Sequence, residues 1–263
     1  MIVIIFFVSI ALIAFMLRMY TRFIMIRSAG PEDFCLGLAM MFSIGVVVLI
    51  GEQVKYGLGE HIWTLDKETI FKSLKPFWAS VWVYTLSLSF LKISLLLQYL
   101  RIFPMQKFRV ICWTVLGMVA LSGLWSLFGS VFICYPVAYF WDNSIKGGKC
   151  LNRYGVWFST AGLNILTDFA LIILPMPVLQ SMALPKKQKR ALMFVFALGG
   201  FGCIVSILRL HYLVAISKSK DPTWDNPAPA TWSSIESSVG ITCASLTALK
   251  PLLSRFFPRH FNN

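Results

Sequence analysis

The sequence predicts an all-α, polytopic membrane protein, a single seven-transmembrane helix bundle over residues 1–263 with its N-terminus outside and its C-terminus cytoplasmic. Three observations predict it. The chain is 57% apolar and 13% charged, with a mean hydropathy of +0.73, where a soluble domain carries roughly 25% charge. Seven stretches approach the roughly 20 apolar residues that cross a bilayer. The Lys and Arg residues gather on alternate connections. A water-soluble globule of this size has more surface than so few charges can cover. That excludes a soluble enzyme, a disordered chain and a coiled coil.

The first span is expected at about 1–24, apolar as far as Leu17 and then broken by Arg18. No positive residue precedes it and no small-x-small site follows, so it reads as a retained helix rather than a signal peptide. The second is expected at 34–51 and the third at 76–100, interrupted by Lys92. The fourth, 110–134, is free of charge and runs into a loop at Cys134 and Pro136. The fifth, 154–182, contains Asp168 and ends near Pro175 and Pro177, which kink or stop a helix. The sixth, 191–216, contains Arg209, and the seventh, 231–253, contains Glu236. The seventh is the least apolar, but its small residues suit close packing in lipid. The longest connection is expected from Glu52 to Lys75.

Charge sets the orientation. With the N-terminus outside, the cytoplasmic segments carry thirteen basic residues, from Arg18, Arg22 and Arg27 to Lys250, Arg255 and Arg259. Only Glu32 and Asp33 oppose them, giving +11 inside against +2 outside. This is the positive-inside pattern of an odd number of spans. It accounts for the net charge of +13 through anionic lipid headgroups, without nucleic acid. Cys134 and Cys150 flank the outer connection between the fourth and fifth helices, where oxidising conditions permit a disulfide. The other four cysteines fall within helices, the histidines are scattered, and no metal site is expected.

Ionisable groups inside a span are costly and mark functional candidates. Counting about 1.5 Å per residue, Arg209 lies about 10 Å deep and Glu236 about 7 Å, level enough to pair. Asp168 lies near the midplane. Lys92 sits deeper, able to reach Asp168 or to extend toward the cytoplasmic headgroups. Asn164 stands one turn from Asp168 on the same face. Two readings stay open: structural ion pairs that fix helix registry, or a polar site. Candidate ligand-binding residues are Asn164, Asp168, Arg209, Glu236, Lys92, Trp82 and Trp232. In an enzyme, Asp168 or Glu236 would be the acid. Seven tryptophans, including Trp82 and Trp232, fall at or beyond the outer interface, as an aromatic belt or as the wall of an outward pocket.

"RMYTRF" closes the first helix and "GPEDF" opens the second; "YGLGEHIW" and "LKISLLLQYLRIF" follow. Then come "CYPVAYFWD", "NILTDFALIILPMPVL", "SILRLHYL", "DPTWDNPAPATWSSIESSVGI" and "LTALKPLL". In this order, over nearly the whole chain, these motifs resemble the fungal rhodopsin-like integral membrane proteins. Glu32-Asp33 stands where that family tends to show two aspartates. The resemblance implies seven helices and either a receptor-like role or a place beside secondary-metabolite genes. It does not bring retinal, since no lysine lies midway along the seventh helix, where the chain reads "GITCAS". No cofactor is expected.

The expected function is therefore a G-protein-coupled-receptor-like membrane protein sensing a small hydrophobic ligand. A G protein on the basic cytoplasmic face would be its partner, in the plasma membrane or another endomembrane. The alternative is a membrane-embedded cyclase or isomerase acting on a lipophilic polyketide or terpenoid intermediate. Transport is less favoured, because no inverted halves or paired broken helices are visible.

Overall fold

The computed structural model describes residues 1–142, 145, 147–177, 200–212, 214 and 221–248. Helix α1 (Ile2–Tyr20) contains neither Gly nor Pro and continues into a π-turn at Thr21–Met25. Helix α2 (Pro31–Lys55) starts three residues before the expected 34. Pro31 suits the first turn, and the Asp33 carboxylate accepts from the Gly30 N–H at 3.2 Å.

Helix α3 (Lys67–Ile102) begins nine residues before the expected 76, with Pro76 inside it, so the connection after α2 is shorter than Glu52 to Lys75. Hydropathy misses this first part because it is polar. Glu68 in the first turn and its i,i+4 partner Lys72, 2.8 Å away, favour helix there. Helix α4 (Gln106–Val131) stops three residues short of 134. The chain then enters a two-stranded antiparallel hairpin, β1 (Cys134–Tyr135) and β2 (Lys149–Cys150). Its register sets Cys134 opposite Cys150, and the expected disulfide joins them.

Helix α5 (Arg153–Ile173) ends ahead of Pro175, short of 182, as the two prolines require; residues 178–182 lie outside the described residues. Helical residues 200–212 form α6, and nearly all the rest of the expected 191–216 span is outside the described residues. So are the basic connection from Lys186 to Arg190 and residues 249–263. A short helix α7 (Pro222–Asp225) precedes α8 (Pro227–Ala248), which starts at a proline four residues before 231.

Among the described residues, five helices are long and apolar enough to cross a membrane, namely α1 with its π-turn, α2, α3, α4 and α5. Their outward faces are apolar: Ile2, Phe34 and Leu121 are 86%, 70% and 70% exposed. Inward lie polar groups such as Ser87, Ser94, Gln98 and Ser238. Apolar groups outside and polar groups gathered inside are what lipid as solvent favours. Helix α8 is the polar exception, because Ser234, Ser237, Ser238 and Ser245 are all buried against other helices.

The core joins α1, α2, α3 and α8 through Ala11, Leu36, Ala39, Leu88 and Ile241. Ser43 and Ser237 meet at 2.9 Å across α2 and α8. A second cluster, Leu96, Val115, Val119 and Leu171, ties α3 to α4 and α5. Gly240 marks a close approach of α8 to α3: a Cβ there would lie 2.4 Å from Leu91 Cδ2.

Arg18, Glu32 and Asp33, counted above with the cytoplasmic connection, are instead buried in the protein. Arg18 has no exposed surface. Its Nε donates to Asp33 Oδ1 at 2.8 Å, and its Nη1 to Gln98 Oε1 at 3.0 Å and to the Ala244 carbonyl at 2.6 Å. Gln98 donates to Thr247, and Arg101 to Glu32 and Ser28. The basic end of α1, α2, α3 and α8 is thus one hydrogen-bonded knot.

Candidate functional site

The four mid-helix charges come from four different helices: Lys92 from α3, Asp168 from α5, Arg209 from α6 and Glu236 from α8. The helical repeat sets Asn164, Thr167 and Asp168 on one face of α5. Lys92 Nζ takes up all three on reaching that face. It lies 2.9 Å from Asp168 Oδ1, and donates to Asn164 Oδ1 at 2.7 Å, Thr167 Oγ1 at 2.7 Å and the Asn164 carbonyl at 2.9 Å. The long stem therefore reaches inward to Asp168, one of the two directions open from the sequence.

The two carboxylates are linked to each other. Asn164 Nδ2 donates to Glu236 Oε1 at 2.8 Å and to Asp168 Oδ2 at 3.3 Å. Ser206 Oγ on α6 lies 2.6 Å from Glu236 Oε1 and 2.9 Å from Asp168 Oδ2. Tyr84 on α3 donates its hydroxyl proton to Glu236 Oε2. Arg209 lies 3.9 Å from that oxygen, donates to Tyr84 Oη at 2.8 Å, and stacks its guanidinium 4.2 Å from the Tyr84 ring centre. The two expected pairs are thus one network, and Tyr84 mediates the second.

Trp82 and Trp232 pack elsewhere. Trp82 lies against the α1–α2–α3–α8 core and edge-on to Trp78 at 6.1 Å, whereas Trp232 packs with Phe7 and Ile235. Sequence reasoning missed Tyr84, Ser206 and Thr167. Ser206 had a signal, being three residues from Arg209 on one helix face; hydroxyls are too common in such helices for the others to stand out.

A cavity of about 30 Å³ adjoins the network between α3, α4, α5 and α6. Lys92, Arg209 and Tyr84 form its charged end, and Ser122, Gly123 and Thr160 line its α4–α5 side. That volume admits a water or two, whereas pockets for whole ligands run to hundreds of Å³. Among the described residues, no group of three or more His, Cys, Asp and Glu is placed to hold a metal ion.

At the disulfide end, the connection after α2 is clasped to the segment before α8. The His61 ring is stacked between Trp63 and Trp224 at 4.4 and 4.2 Å, and its Nδ1 lies 2.7 Å from Asp221 Oδ2. Ile62 N–H donates to Asp221 Oδ1 at 3.1 Å. Burial works against the Asp221 charge, but hydrogen bonds from His61, Ile62, Thr223 and Trp224 outweigh it and hold this carboxyl below its usual range.

Comparison with known proteins agrees with this architecture. The fungal rhodopsin domain matches residues 17–255. A SAT4 family membrane protein of Emericella nidulans is 30% identical over 243 residues, covering 90% of this chain and 56% of that protein. The fugralins biosynthesis cluster protein 2 of Gibberella zeae is 24% identical over 250 residues, 92% of this chain and 62% of its own length. Receptor GIN3 of Arthrobotrys oligospora is 25% identical over 180 residues, 67% of this chain and 43% of that receptor. The chain therefore spans less than two thirds of each of these relatives. No solved structure matches it. A multi-pass helical membrane architecture and a domain match over nearly the full length lead to one conclusion: the chain belongs to the fungal rhodopsin domain family.

Proposed function

We propose that this chain is a receptor-like sensor of a small hydrophobic ligand, in the plasma membrane or another endomembrane, with a G protein as its cytoplasmic partner. One observation carries the reading. Each charge of the inward-facing quartet, Lys92 and Glu236 buried and Asp168 and Arg209 half-buried, stands on a different helix and is balanced by a residue of another. A ligand that draws one group away leaves its partner unmatched in a low-dielectric interior, which favours a second arrangement of the four helices. Differential binding to two arrangements is what a sensor needs. The likeness to Receptor GIN3 supports the same reading. The test is ligand-dependent G-protein activation in reporter yeast, with host-derived and fungal metabolites as the panel. The expected result is a dose-dependent signal that is lost in Asp168→Asn. Silence across the panel overturns the reading.

A second reading, a cyclase or isomerase of lipophilic intermediates, draws support from relatives named for biosynthesis clusters. There Asp168 or Glu236 would donate the proton. Both carboxylates, however, already accept hydrogen bonds and face cations, so acid catalysis first requires the network to open. Microsomes fed the pathway intermediate decide it: conversion that survives Asp168→Asn and Glu236→Gln overturns this mechanism.

A further inference from the structure

We infer that the cavity between α3, α4, α5 and α6 receives the oxygen function of a neutral lipophile, a ketone or an alcohol, with Thr160 as its hydrogen-bonding partner. This deepens the sensor reading and rests on it.

The first argument is charge. Lys92 and Arg209 line the cavity, whereas Asp168 and Glu236 stand behind them at 2.9 and 3.9 Å. The four formal charges cancel. An entering carboxylate or ammonium would add one uncompensated charge to a water-poor interior, while a neutral oxygen adds none.

The second argument is proton accounting. The three Nζ protons of Lys92 are taken by Asp168, Asn164 and Thr167. Most wall hydroxyls donate to carbonyls of their own helices: Thr85 to Val81, Ser89 to Thr85, Ser122 to Val119 and Thr167 to Leu163. Thr160 Oγ1 differs, being buried with no hydrogen-bond partner among the described residues. Thr160 lines the cavity, and its hydroxyl, held by no hydrogen bond, can turn toward it and either donate or accept, so it suits a carbonyl and an alcohol alike.

The third argument is size and access. About 30 Å³ takes an oxygen and its carbon, not a whole molecule. Ser122 and Gly123 on the α4 wall are only partly buried, and their neighbours Leu121 and Leu124 are exposed to the bilayer. The head therefore sits inside, and the hydrocarbon remainder lies along the α4–α5 seam in lipid.

The experiment places the full chain in phosphatidylcholine nanodiscs and adds a medium-chain alkyl ketone carrying a diazirine on its tail. Expected is saturable photolabelling of α4 and α5 peptides. The unlabelled ketone and the matching alcohol compete; the matching alkane, carboxylate and amine do not. Ser122→Leu, which fills the cavity, abolishes labelling. The isosteric Thr160→Val weakens the apparent affinity by about fivefold, the worth of one hydrogen bond. Circular dichroism and a single gel-filtration peak establish that both variants fold. Labelling unchanged in both variants overturns the proposal, as does a carboxylate that competes as well as the ketone. The readout is binding, not signalling. Labelling with a silent reporter therefore sinks the sensor reading alone, and a responsive reporter without labelling sinks this site alone.

Discussion

Arg18 has no exposed surface and satisfies groups on three other helices, so its loss strands the Asp33 carboxylate inside the protein. Arg18→Ala is expected to cost about 3–5 kcal/mol, the range for breaking a buried pair. Thermal unfolding in detergent measures it, and adding Asp33→Ala should recover part of the loss. Lysine cannot replace this arginine, because one ammonium cannot reproduce the fork that meets Asp33, Gln98 and the Ala244 carbonyl together. Asp221 makes a different kind of prediction. Its carboxyl is held below its usual value of 3.8, so its contribution is complete above that value in the folded chain. It is lost as pH falls through the lower folded value. The clasp should therefore open on strong acidification, read as a change in intrinsic tryptophan fluorescence, and Asp221→Asn should remove that acid transition.

At the scale of the element, helix boundaries follow hydrogen bonding and charge more than apolarity. Hydropathy marks the lipid-crossing part of α3 but not its first nine residues, which Glu68 and Lys72 keep helical. Conversely, α8 is legible only as a weak span, because its serines face other helices rather than lipid. Close approach is equally hidden in a sequence. Gly240 reads as one small residue among many until α3 brings Leu91 against it. Gly240→Ala is expected to destabilise by about 1–3 kcal/mol through overpacking. Leu91→Ala in the same chain should restore the helix spacing, as a thermal-unfolding cycle of the four variants would read out.

For the whole molecule, the membrane class, the helices' order and the disulfide were legible, because each depends on composition or on position along the chain. The quartet was legible as two pairs at different depths, Arg209 with Glu236 and Lys92 with Asp168, since rise per residue turns sequence into depth. Its joining by Asn164, Ser206 and Tyr84 was not, because depth says nothing about which helices are neighbours. Nor was the burial of Arg18, which at the end of an apolar run reads as a headgroup contact. Asp168→Asn leaves Lys92 buried without its counter-charge and should lower unfolding stability by about 3–5 kcal/mol. A paired Lys92→Met and Asp168→Leu exchange should hold stability near wild type while removing any ligand response. The serine-rich interior of α8 bears on how the protein is made. A rod so poor in greasy side chains partitions weakly into a bilayer by itself, so its lasting insertion during translation depends on α1, α2 and α3 already standing there to receive it.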